Sequence, residues 1–181
     1  MTEKKREIIN VACEALQRGG VNGFSFRDLA ETVGIKSSSV HYHFRNKNEL
    51  FKAIVEEFRN SMSVNLGEID NKTSSLKEAV LALVEIFEGV LDQGKFCVCG
   101  MLAADQKHLD EGVIEELNLT FNGLEGWLVN TIEKYPAVLL PADSLATLLI
   151  SSLEGSMLID RVSGEKRYFA SLRRTIDVLL D

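Results

Sequence analysis

Within seven residues the chain sets out three hydroxyls, two imidazoles and a phenol, at Ser37, Ser38, Ser39, His41, Tyr42 and His43, with Lys36 just before them and Lys47 just after. Such groups meet base edges as donors and acceptors, and phosphate oxygens as donors and cations. They do not form a reacting constellation. No H-E-x-x-H, Gly-rich phosphate loop or G-x-S-x-G is present, and two of the three histidines fall in this one segment. Acid–base and nucleophilic chemistry therefore lack their groups, and the chain is expected to be non-catalytic and to need no cofactor. A second reading of His41 and His43 stays open, because a helix C-terminus favours a positive imidazolium and the two rings then only cover that end.

Cys97, Cys99 and His108 raise a different chemistry, that of a redox or metal sensor. A Cys-x-Cys pair does not put both sulfurs on one helix face, and a metal site needs three or four converging ligands. Packing of FCVCGML as a small-residue entry to a helix is the competing reading, since free cysteine commonly serves as a small buried hydrophobe. On balance no metal is expected.

The elements that must position the polar segment are helices. Ile8, Ala12, Ala15 and Leu16 make the buried stripe of a first helix that stops at Gly19 and Gly20. Ser25 is a good N-cap with Asp28 three residues on, which places a second helix over Phe26 to Val33. Gly34 supplies a left-handed stop, and Ile35 can fold back under the turn. A third helix begins at the serine run, which offers several caps, and a fourth opens at Lys47 or Asn48 with Leu50, Phe51, Ile54, Val55 and Phe58 as its stripe. Leu29, Ala30, Val33, Ile35, Val40 and Phe44 should lie inside. Two short helices joined at a glycine, the second polar on its outer face, are the pattern of a DNA-reading helix-turn-helix.

Beyond the motif the spacing predicts helices from Leu76 to near Gly94, over Gly100 to Leu109, and from Val113 to about Tyr135. Pro136 and Pro141 bracket a loop, and two last helices follow over Ala142 to Val162 and Arg167 to Leu180. The fold is expected to be all-α with about nine helices. No apolar run reaches the roughly 18 to 20 residues of a membrane span. The charged opening MTEKKREIIN lacks a secretory pattern, and three cysteines suit a reducing compartment, so a cytoplasmic protein without membrane contact is expected.

The net charge of −7 is unevenly distributed. Residues 1–48 carry eight Lys or Arg and five Asp or Glu, net +3, which leaves −10 for the remainder. A basic head and an acidic body suit phosphate contact at one end only. Domain limits are expected at 1–48 for DNA binding and 49–181 for the rest.

The stretches FRDLAETVGI, SSSVHYHF and NKNELF resemble the DNA-binding domain of the TetR/AcrR family of transcriptional regulators. The resemblance covers the first fifty or so residues and rests on the offsets from Gly34 to Tyr42, Phe44, Lys47 and Leu50. It implies that Tyr42 and Lys47 bind backbone phosphate, that Ser25 and Arg27 approach phosphate from the start of the second helix, and that Lys36, Ser37, Ser38, Ser39, His41 and His43 face the groove. His41 stands where the family usually has Tyr, and Ser38 where Gly or Ala is common, so no operator sequence carries over.

The same resemblance implies a C-terminal domain that dimerises through its last two helices and holds a small-molecule effector, whose binding changes the spacing of the two DNA-reading heads and releases the operator. Leu145, Leu149, Ser152, Ser156 and Ile159 share one helical face, with Gly155 small enough for close approach, and Phe169, Leu172, Ile176 and Leu179 form a matching stripe. A two-fold homodimer on a palindromic duplex would place half-sites about 34 to 36 Å apart. Phe87, Phe96, Met101, Leu102, Phe121 and Trp127 are candidate lining for an apolar effector pocket, or ordinary core.

Overall fold

Local signals decide where the helices begin and end. The computed structural model describes residues 1–135 and 140–180. Among these the chain forms nine α-helices, one 3-10 turn and no strand: α1 (Glu3–Gly19), α2 (Phe26–Val33), α3 (Ser37–His43), α4 (Lys47–Lys72), α5 (Leu76–Asp92), α6 (Val98–Ala103), α7 (Glu111–Glu133), α8 (Ala142–Ser163) and α9 (Arg167–Leu179), with the turn at Gln106–His108 between α6 and α7. The fold is all-α, as its periodicities imply. The single helix expected over Gly100 to Leu109 is instead two pieces, because the backbone leaves helical geometry at Asp105 and is extended at Leu109. Pro136 lies outside the described residues, whereas Pro141 is the N-cap of α8.

The chain packs as two compact units, Met1–Asn60 with Val98–Thr120, and Ser61–Cys97 with Phe121–Asp181. These limits do not fall at residue 48. The first half of α4 joins the first unit because its stripe of Leu50, Phe51, Ile54 and Val55 is buried there, with the Phe51 ring set edge-on to Phe24 at 6.2 Å. The start of α7 joins it too. Glu116 on α7 is buried and receives Arg59 of α4 at 2.9 Å, with Lys52 at 3.9 Å, so a carboxylate taken out of water keeps two cations.

Close backbone approach constrains the α1–α2 connection. A Cβ on Gly23 would lie 2.7 Å from the carbonyl carbon of Gly19 and 2.8 Å from its Cα, so the turn closes only with glycine there. Gly23→Ala is expected to cost about 1–3 kcal/mol, the usual range for overpacking. The midpoint of urea unfolding checks this, and an unchanged midpoint would refute the crowding.

In the second unit α5, α8 and α9 pack on one another. Ion pairs join α5 to α9 and its N-cap residue in reverse order along the chain, Lys77 with Asp177, Glu85 and Glu88 with Arg173, and Asp92 with Lys166, which makes the two helices antiparallel. The bonds from Arg173 to both carboxylate oxygens of Glu88 are the best protected of these and raise the guanidinium pKa further. Asp160 on α8 is 2% exposed and accepts the backbone amides of Tyr168 and Phe169 at 3.0 and 2.9 Å. It therefore caps α9, whose own N-cap residue Lys166 makes no side-chain capping bond. Among the described residues α8 alone is long and apolar enough to cross a membrane by length and composition. Its apolar residues Leu145, Ala146, Leu149, Leu153 and Met157 are instead core, and it carries Glu154, Asp160 and Arg161.

Candidate nucleic-acid interface

Helix α2 is fixed at both ends by its own sequence. Ser25 and Asp28 form a reciprocal capping box, in which the Ser25 hydroxyl accepts from the Asp28 amide and the Asp28 carboxylate accepts from the Ser25 amide at 2.7 Å and from its hydroxyl at 2.8 Å. These bonds hold the Asp28 carboxyl below its usual pKa. At the other end Gly34 adopts φ 71°, ψ 35°, and the Ile35 amide donates to the Ala30 carbonyl at 2.9 Å. Leu29, Ala30, Val33, Val40 and Phe44 are buried and lock α2 against α3. Ile35 is only half-buried, as is Phe58 on α4, so each stripe is narrower at its edge than the spacing suggests.

Helix α3 buries Val40 alone. The serines do not cap it. Lys36 holds the N-cap position without a side-chain bond, and all three serines sit inside the first turn, with Ser37 and Ser38 exposed. Tyr42 is 86% exposed. A phenol left this far out forgoes the burial worth about 1.5–3 kcal/mol to a large apolar side chain, which the fold does not require. His41 packs its ring edge against Phe26 at 4.9 Å, and His43 lies 5.3 Å from the Tyr42 ring. None of Ser25, Arg27, Lys36, Ser37, Ser38, Ser39, His41, Tyr42, His43 and Lys47 is buried.

Lys47 differs from the others. Its ammonium donates to the Val21 carbonyl at 2.8 Å and lies 4.8 Å from the centroid of the Phe24 ring. Burial lowers its pKa, and the charge of Asp28 offsets part of that. Lys47 thus ties the start of α4 to the α1–α2 turn. Sequence reasoning missed Lys4, which α1 brings into one open recess with Ile35, Ser38, Ser39, Tyr42 and His43. The only signal for it in the sequence is the basic run at the chain's start.

Residues 8–54 match the family of bacterial regulatory proteins described as the tetR family. A transcriptional regulator of that family from Agrobacterium tumefaciens has a solved structure that superposes with a TM-score of 0.91, at 30% identity over 98% of both chains. This chain belongs to the TetR family. A second TetR transcriptional regulator, from Legionella pneumophila, superposes at 0.90 with 29% identity over 100% of this chain and 99% of the other. The tetracycline repressor protein class A of Escherichia coli is 39% identical over 49 residues, which is 27% of this chain and 23% of that protein. Matches to the curated relatives thus span less than half of those proteins' length.

A second surface feature lies in α8 and α9. An open groove of about 330 Å³ runs between these helices, lined by Leu145, Leu149, Ser152, Gly155, Ser156, Ile159, Leu172 and Ile176 together with Leu148, Tyr168, Thr175 and Leu179. Leu145, Phe169 and Ile176 are almost wholly buried within the unit itself. Among the aliphatic side chains that line the groove, Leu148 at 47%, Leu179 at 41% and Ile159 at 40% stand furthest into water. Ile159 and Leu179 belong to the expected stripes and Leu148 does not, because a helical stripe cannot tell a residue buried in its own unit from one at the margin.

The six candidate pocket residues divide between the units. Met101 and Leu102 belong to the first, where the Met101 methyl would stand 3.2 Å from a Cβ on Gly20 and Leu102 is fully buried. Phe87, Phe96, Phe121 and Trp127 belong to the second. Phe96 lies under the Arg161 guanidinium at 5.7 Å, and the Trp127 indole donates to Asp70 at 3.1 Å.

Cys97 and Cys99 are both buried. Among the described residues no three His, Cys, Asp or Glu side chains converge, and His108 pairs with Asp105. Cys97 hydrogen-bonds the Glu154 carboxyl, while its amide points at the Met157 sulfur at 3.2 Å. Burial pushes the Glu154 pKa up, and the bond from Cys97 opposes this more weakly. A folded-state value above the usual 4.5 means that folding disfavours the carboxylate. Stability should then fall as pH rises from that value through the raised one. Glu154→Gln is expected to unfold at a higher temperature than the wild type at pH 8, with the gap narrowing at pH 5; a gap independent of pH would contradict the assignment.

Proposed function

We propose that this TetR-family regulator binds a palindromic DNA operator as a homodimer and acts as a repressor released by a small-molecule effector. The observation that carries the reading is α3, which buries one residue and presents Tyr42, two histidines and three serines outward. Residues 1–48 supply the helix-turn-helix, and residues 49–181 supply the dimer and the effector site. The open α8–α9 groove supports the dimer, since an apolar face edged by Leu148, Ile159 and Leu179 is best covered by the same face of a second copy. Relatives named as repressors, such as the tetracycline repressor of class A, favour repression.

The effector is expected in the second unit near Phe87, Phe96, Phe121 and Trp127. It must bind one arrangement of the heads better than the other, since equal affinity for both shifts nothing. A cysteine sensor is the weaker reading, because both thiols are buried away from a reactant in solution and, among the described residues, no third metal ligand joins them.

Selection of duplexes from a random pool, followed by anisotropy titration over a range of salt, tests the proposal. Selected sequences should show inverted half-sites, with affinity falling steeply as salt rises. Non-palindromic sequences or salt-insensitive binding would refute it. Thermal-shift screening then finds the effector.

A further inference from the structure

The first turn of α1 reaches the reading surface. Lys4 shares with Ser38, Ser39, Tyr42 and His43 an open recess of about 350 Å³, in which Ile35 is the one apolar member. Every polar side chain lining it can donate a hydrogen bond: an ammonium, two hydroxyls, a phenol and an imidazole. No carboxylate lines it. Such a wall suits an anion, and its position against the outer face of α3 makes that anion part of whatever α3 meets.

We propose that this recess seats a backbone phosphate of duplex DNA and that Lys4 is its principal cationic ligand. The inference rests on the DNA-binding reading above and adds a contact from α1 to those of the helix-turn-helix. Lys4 is now paired with Glu7 at 2.7 Å, with 54% and 44% of the two side chains exposed. A surface pair of this kind is weak enough to be given up for a phosphate. Its neighbour is not equivalent, since the Lys5 ammonium lies 5.3 Å from the Phe44 ring centroid and does not line the recess.

The experiment is anisotropy titration of the full chain against a mixed-sequence duplex at a series of salt concentrations. Each phosphate neutralised contributes about 0.9 to the slope of log affinity against log salt, so losing one contact in each of two heads should lower the slope by roughly 1.8. Lys4→Ala should show that loss with an unchanged circular dichroism spectrum, and Lys4→Arg should restore the slope. Lys72→Ala, at an exposed lysine paired with Glu68 on α4, should leave it unchanged. A wild-type slope in Lys4→Ala overturns the assignment and is also what a recess for a free anion would give. Failure of the wild type to bind the duplex would overturn the DNA-binding reading itself, and the Lys4 contact with it.

Discussion

Replacing Tyr42 with alanine should cost at least about 100-fold in duplex affinity while leaving the thermal midpoint where it is. The size follows from two hydrogen bonds to charged phosphate, one per head, each worth roughly 1.5–3 kcal/mol against about 1.4 kcal/mol per factor of ten. The unchanged stability follows from the 86% exposure of the ring, which leaves little packing to lose. Tyr42→Phe separates the two parts of the side chain. It removes the hydroxyl alone and should reproduce most of the loss if phosphate bonding dominates. Equal affinity in wild type and Tyr42→Ala would mean that α3 does not lie against the duplex in the orientation proposed.

The second large effect should come from Gly155. A Cβ there meets nothing within 4 Å, and the residue lines the α8–α9 groove, so an arginine can be housed by one chain yet stands where a second copy would approach. Gly155→Arg is expected to give a folded monomer by light scattering with full helical content. Its duplex affinity should drop by roughly 10² to 10⁴, because the second head is no longer delivered at the millimolar effective concentration that a dimer provides. A dimer in this variant would place the interface elsewhere. A monomer that binds as tightly as the wild type would sink the two-headed mechanism.

The two substitutions probe parts of the chain that differ in legibility. The head could be read almost residue by residue. Ser25, Asp28 and Gly34 act on the backbone within four residues of themselves, so the limits of α2 follow from sequence alone. Even there the serine run misled, since a residue type that favours caps also tolerates a first turn, and Lys36 took the cap position. Lys47 was legible as a cation at the opening of α4, but its bond to the Val21 carbonyl joins residues 26 apart and leaves no local trace. Lys4 was illegible for the same reason.

The body was legible as helices and stripes, not as surfaces. Leu145 and Leu148 are both leucines of α8, yet one is buried at 1% and the other stands 47% exposed in the groove. The residues grouped as pocket lining divide between two units, Met101 and Leu102 in the first and the four aromatic ones in the second, because composition marks what is apolar without saying which elements converge.

By itself the sequence determined the helical class, the helix-turn-helix and the groups offered to a partner, because caps, glycine stops and apolar periodicity are local physics acting within one or two turns. Tertiary structure alone decided that Lys4 shares a recess with Ser38, Ser39, Tyr42 and His43, that Asp160 caps the helix after its own, and which face of α8 and α9 stays open. Those outcomes depend on distances between residues far apart in the chain, and such distances are set only when the helices pack.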